Sequence, residues 1–125
     1  MTNTSGAFGI PYSTIRKIGD FYYISGHTGL DLAKKTAAPD VKGQTTKLFE
    51  NLAETMKAYN LNFDDIVKTT VFLTDMGDFV GMNEVYTTYF NDPKPARSTV
   101  AVKELPRVAD IPLKVEIEAI AYKKS

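Results

Sequence analysis

Ile66 to Leu73 is the stretch that most restricts the fold. Its residues, Ile-Val-Lys-Thr-Thr-Val-Phe-Leu, are mostly β-branched, which suits a pleated surface within a sheet. Helical spacing flanks it on both sides. Before it, Leu48, Leu52, Met56 and Tyr59 form one stripe, with Phe49 and Ala53 beside it. After it, Phe79, Met82, Tyr86 and Tyr89 recur at three and four residues, with Val85 alongside. Apolar stripes at that period mark helices with one buried face. A central strand between two such helices implies a sheet that the helices cover.

The rest of the chain extends this unit. Pro39-Asp40 predicts the start of the first helix, and Asn60 suits a left-handed stop. Asn62 can cap a single turn, with Asp65 at its third position. Asp75 or Asp78 can cap the second helix, and Asn91-Asp92-Pro93-Lys94-Pro95 ends it. Upstream, residues 1–11 read as a loose lead-in. Thr14 to Ile18 alternates, Gly19-Asp20 turns, and Phe21-Tyr22-Tyr23-Ile24-Ser25 completes a hairpin that ends at Gly26. Leu30 to Ala38 reads as a loop or weak hairpin. Ala96 to Val102 and Lys114 to Tyr122 are the remaining strands, joined by a loop from Leu105 to Pro112. The predicted order is β-β-α-β-α-β-β, an α+β fold in one domain over residues 1–125, with both helices on one face of the sheet. The opposite face carries Tyr, Phe and Ile with no third layer to cover it. Further copies of the chain are the direct cover.

Composition removes whole classes of function. Fifteen Lys and Arg balance fifteen Asp and Glu, so nucleic acid and anionic membrane exert no general pull. There is no cysteine, hence no disulfide, thiolate nucleophile or Cys-zinc site. His27 is the only histidine, and a metal site would need carboxylates alone. No signal segment or apolar membrane span is apparent, and a cytoplasmic location is compatible with this.

Alternation then sorts the strand side chains. Arg97, Thr99 and Ala101 share one face of their strand. Leu113, Val115, Ile117, Ala119 and Ala121 pack under the helices, which turns Glu116 and Glu118 to the other side. A carboxylate in a contact between copies needs a partner. Arg97 is the expected one, if its strand neighbours that of Glu116. Two plainer readings stand beside this. Glu-x-Glu on an edge strand commonly serves solubility, and a glycine such as Gly26 commonly marks a bulge or turn.

These pieces together resemble the RidA/YjgF family of reactive-intermediate deaminases. The resemblance rests on Pro11-Tyr12-Ser13, Phe21 to Gly26, Gln44-Thr45 and Glu50-Asn51-Leu52. It continues through Asp64 to Met76, Phe79 with Met82-Asn83-Glu84-Val85-Tyr86, Pro95-Ala96-Arg97-Ser98, and Val115 to Ala121. It implies a chorismate-mutase-like fold assembled as a homotrimer, with sites in the clefts between subunits. It also implies hydrolysis of 2-imino acids and their enamines to 2-keto acids and ammonia, without a cofactor or metal. Arg97 matches the residue that holds the substrate carboxylate, and Glu116 the one that positions water. Tyr12, Ser25, Gly26 and Asn83 match residues lining the cleft, and Thr99 stands where many members have cysteine. His27 stands where glutamine is common, and the loop from Pro106 to Pro112 is longer than usual. A non-catalytic protein that binds small carboxylates would keep the same features.

Overall fold

The structure, a computed structural model, describes residues 10–107 and 110–125. Nine strands and helices can be named in chain order. They are β1 (Ile15–Ile18), β2 (Phe21–Thr28), β3 (Leu30–Asp31), β4 (Thr36–Ala37), α1 (Val41–Lys57), β5 (Ile66–Leu73), α2 (Phe79–Tyr86), β6 (Ala96–Ala101) and β7 (Val115–Tyr122). The predicted mixture of two helices on one sheet is observed. Leu30 to Ala38 forms the weak hairpin, β3 with β4.

The local signals act where the residue types place them. Asp40 accepts a hydrogen bond from the Gly43 amide at 3.1 Å and caps α1. Asn60 takes φ +57° just past its end, and the Leu61 amide donates back to the Met56 carbonyl at 3.1 Å. Asn62 and Asp65 form a reciprocal capping box on a single 3-10 turn. Asp75, not Asp78, supplies the side-chain cap before α2, accepting from the Gly77 amide.

The five-stranded sheet has the order β1-β2-β7-β5-β6. β5 runs antiparallel to β7 and parallel to β6, because α2 carries the chain back over the sheet between β5 and β6. Ile24, Thr69, Val71, Leu73, Val115, Ile117 and Ala119 face the helices and are buried. Leu48, Phe49, Leu52 and Met56 of α1 and Met82 of α2 complete this core. Phe49 lies at its centre, with the rings of Phe63, Tyr86, Tyr89 and Phe90 between 4.6 and 5.8 Å away.

The other face stays open, with Phe21, Tyr23, Val100 and Tyr122 each at least 40% exposed. The loop before β7 does not set the strand register, since β6 and β7 each pair directly with β5. Leu105 and Leu113 are buried against Leu30, which pins the loop at both ends. Val108 and Ala109, within the Pro106 to Pro112 loop, lie outside the described residues, as do most of the lead-in residues. No helix among the described residues is long and apolar enough to cross a membrane.

Candidate active site

The register separates Arg97 from Glu116. β5 stands between their strands, which places the backbones about 10 Å apart at the usual strand spacing. Arg97 is level with Thr69 and Ala119, whereas Glu116 is level with Phe72. Thr69 and Ala119 face the helices, so Arg97 does too, and Glu116 points out of the opposite face. The expectation that the two side chains share a face and pair within one chain is therefore corrected. It treated consecutive strands as neighbours, and the β5-α2-β6 crossover claims that place for β5.

The predicted residues fall into two part-sites. The first is a hollow of about 280 Å³ at the β6 edge, lined by Asn83, Tyr86, Thr87, Lys94, Pro95 and Arg97. Here Arg97 Nη1 donates to Asn83 Oδ1 at 2.7 Å. The guanidinium carbon lies 4.8 Å from the Tyr86 ring centre and 5.6 Å from that of Phe79. The Tyr86 hydroxyl is in turn tied to buried Thr69 Oγ1 at 2.7 Å. Burial raises the pKa of Tyr86, so the phenol stays neutral beneath the cation. Among the described residues no carboxylate pairs with Arg97. A cation fixed on aromatic rings with only a neutral amide partner can accept an anion, and its planar fork matches a carboxylate. Sequence patterning gave Phe79 and Tyr86 only a core role. The signal for more is that Tyr86 lies one turn beyond Asn83, which turns both toward one strand.

The second part-site is an open cleft of about 830 Å³ beside the outer half of β2. β1 pairs with Phe21 to Ile24, and just beyond it the Ser25 amide donates to the Thr14 carbonyl at 3.0 Å. The β2–β7 register shifts between Ile24 and His27, which makes Ser25-Gly26 a bulge. Gly26 is thus the bulge glycine of the plainer reading, and more. A Cβ built on it would lie 2.5 Å from Glu116 Oε2 and 2.7 Å from Cδ. The glycine leaves the room that the Glu116 carboxyl occupies. Burial and then the neighbouring Glu118 raise the pKa of Glu116, which favours a carboxyl that can both take and return a proton. Ser25 Oγ donates to the Ser13 carbonyl at 2.6 Å, tying the bulge to the lead-in segment. Tyr12 lines the cleft and is 42% exposed.

The two residues that depart from the usual types of the resembled family, His27 and Thr99, act inward. His27 Nδ1 is 2.8 Å from the Ser25 carbonyl oxygen, to which it must donate, and Nε2 is 2.8 Å from Thr55 Oγ1 on α1. Burial lowers its pKa, in keeping with a neutral ring. His27 therefore braces the bulge from beneath. Thr99 Oγ1 is buried without a hydrogen-bond partner among the described residues, so its hydroxyl faces neither part-site in the single chain. No group of three His, Asp or Glu side chains among the described residues could hold a metal ion.

Known proteins share the sequence and fold of this chain. Residues 5–123 match the family model described as endoribonuclease L-PSP. The chain belongs to the RidA/YjgF family. It is 42% identical over 121 residues to the 2-iminobutanoate/2-iminopropanoate deaminase of Mus musculus, covering 96% of this chain and 86% of that one. The crystal structure of RidA from an Antarctic Psychrobacter superposes with a TM-score of 0.86 at 36% identity, covering 98% of this chain and 97% of the other. E. coli TdcF with bound serine superposes at 0.84 with 33% identity, covering 99% and 97%. The RidA/YjgF family thus includes proteins named as deaminases of imino acids, and this chain has their fold.

Proposed function

We propose that this RidA/YjgF protein hydrolyses 2-imino acids and their enamine tautomers to 2-keto acids and ammonia. The work is done by a homotrimer whose sites join the Arg97 hollow of one subunit to the Glu116 cleft of the next. The observation that carries this reading is the Arg97 guanidinium, fixed on the Tyr86 ring and lacking a carboxylate partner. The serine bound to TdcF in its crystal structure shows a relative taking a small molecule that bears a carboxylate.

The chemistry needs little more than placement. Arg97 holds the substrate carboxylate in two parallel hydrogen bonds. Glu116 takes a proton from water as the oxygen adds to the imine carbon, giving a carbinolamine. The same carboxyl returns that proton to nitrogen. The C–N bond then breaks as the hydroxyl proton passes through the same carboxyl to the departing nitrogen, so that ammonia leaves and the keto group forms. A C=N bond reacts readily with water, so orientation and one carboxyl that shuttles protons suffice. Tyr12, Ser25 and the Gly26 backbone line the cleft, Thr99 lies on the Arg97 strand, and Asn83 keeps the guanidinium in place.

Hybrid assembly tests both the residues and the division between subunits. Arg97→Ala and Glu116→Gln proteins should each fail to speed ammonia release from freshly generated 2-iminobutanoate. Unfolding the two together and refolding them as mixed trimers should restore activity at about one quarter of the sites, the fraction expected for random pairing around a ring. Full activity in Arg97→Ala alone, or no recovery in the hybrid, would sink the arrangement. Tight 2-oxobutanoate binding by the unaltered protein, with no gain over spontaneous hydrolysis, would mark it as a binding protein.

A further inference from the structure

The Arg97 hollow contains a second cation that the proposed reaction does not use. Lys94 lines it beside Arg97, and no acidic side chain among the described residues does. Its ammonium is only lightly held. Lys94 Nζ lies 3.0 Å from the Phe90 carbonyl oxygen and 3.6 Å from Asp92 Oδ1, and the Asp92 side chain is 90% exposed. An ion pair so open to water is weak. An ammonium on a four-carbon stem can also leave it for a better anion without moving the backbone. Pro95 fixes the chain between the two cations, so both belong to one short segment that ends in β6.

A single carboxylate satisfies Arg97 and leaves Lys94 with the exposed Asp92. A ligand with a second carboxylate satisfies both. The hollow, at about 280 Å³, has room for the few additional atoms that a second carboxylate brings. We propose that Lys94 is a second anion-binding point, and that the protein favours 2-imino acids of the dicarboxylic class, those derived from acidic amino acids. This rests on the deaminase reading for its chemistry, but the binding preference stands apart from turnover.

The test uses stable ligands and then reacting ones. Titration calorimetry compares 2-oxoglutarate with 2-oxobutanoate on the assembled protein, unaltered and as Lys94→Met and Lys94→Arg. The dicarboxylate should bind about tenfold tighter than the monocarboxylate, in the range usual for one well-placed charge pair. Lys94→Met should erase that ratio and Lys94→Arg should keep it. In situ oxidation of glutamate and of 2-aminobutanoate then supplies the two imines, and the ratio of their accelerated hydrolysis should follow the binding ratio. An unchanged binding ratio in Lys94→Met would overturn the proposal, as would an equal loss for both ligands, which would mean that Lys94 only holds the turn at Phe90. If the binding ratio behaves as stated while neither imine is accelerated, the deaminase reading fails and the Lys94 subsite stands.

Discussion

Gly26→Ala separates the cost of folding from the cost to chemistry. The glycine has no positive φ to lose, so the backbone accepts alanine. The difficulty is space. The added Cβ would meet Glu116 Oε2 at 2.5 Å, Cδ at 2.7 Å and Cγ at 2.9 Å. Relaxed contacts between such atoms lie near 3.5 Å, so the carboxyl must move by about 1 Å. Glu116 is a side chain and can swing, so the strain should be at the low end of the roughly 1–3 kcal/mol typical of overpacking. A displacement of about 1 Å at a reacting group can lower the rate about 100-fold. The expected result is a fall in kcat/KM near that size, with a melting temperature lower by only a few degrees. Gly19→Ala supplies the contrast. Gly19 sits at φ +59° with nothing within 4 Å of its would-be Cβ, so alanine there should cost about 1 kcal/mol of stability or more and little activity. Imine hydrolysis followed by ammonia release, beside thermal melts of both variants, decides the matter. A folded Gly26→Ala protein with kcat/KM within twofold of the unaltered one would refute the role given to the Glu116 carboxyl.

Thr99→Val should stabilise the protein by about 1 kcal/mol, because it removes a buried hydroxyl with no partner among the described residues. A lower melting temperature would show that another copy or a ligand satisfies that hydroxyl. Tyr86→Phe keeps the ring under Arg97 but strips buried Thr69 of its partner. It should cost about 1–2 kcal/mol in a denaturant titration, whereas Tyr86→Leu should also raise KM several-fold by removing the aromatic support. The pH dependence follows from two shifts of opposite sign. His27 has a lowered folded pKa, so its contribution to stability is complete above its unfolded value and is lost as pH falls through the folded one. Glu116 has a raised folded pKa, so its contribution is complete below the unfolded value and is lost as pH rises through the folded one. Denaturation at pH 5 and pH 8 should show His27→Gln relatively more stable at the acidic end and Glu116→Gln relatively more stable at the basic end. The reverse order would contradict both assignments.

Local features were legible because short-range rules govern them. Asp40, Asn60 and Asn62 each stop or start an element through their own side chain or backbone, and each does so where the sequence indicated. The helical stripes hold as far as Met56 and Tyr86, while Tyr59 and Tyr89 pack on the core from the turns beyond the helix ends. The facing of Arg97 was not legible by alternation alone, since alternation sorts residues within a strand and leaves the strand order open. The β5-α2-β6 connection carried the missing information, because a helical crossover makes its two strands parallel partners. Within that parallel pair the observed register sets Arg97 level with Thr69. The bulge at Ser25-Gly26 was legible only as one of two options for its glycine, bulge or turn. An aromatic run gives a strand but not its register, and only the pairing with β7 shows the extra residue. The resemblance to a family reached Arg97 and Glu116 without solving either problem, since it matches residues and is indifferent to which side of a sheet they occupy.

The opposed facing of Arg97 and Glu116 gives assembly a chemical role under the proposed function. Glu116 and Glu118 point out of the same sheet face as Phe21, Tyr23 and Tyr122. Covering those aromatic side chains with a neighbouring subunit removes water from the carboxyls as well. That step would be unfavourable with the acids alone, because burial and mutual repulsion already raise the pKa of Glu116. A guanidinium arriving on the neighbour's β6 offsets the cost, and so does the protonation that a raised pKa permits. The arginine is itself half-buried on its rings and lacks an anion until the substrate comes. Each chain therefore carries one charged group without an opposite partner among the described residues on each side of its sheet. Under the proposed function the same contact that hides the apolar face would close the site around the substrate, so a variant that weakens assembly should lose activity even when every site residue is intact.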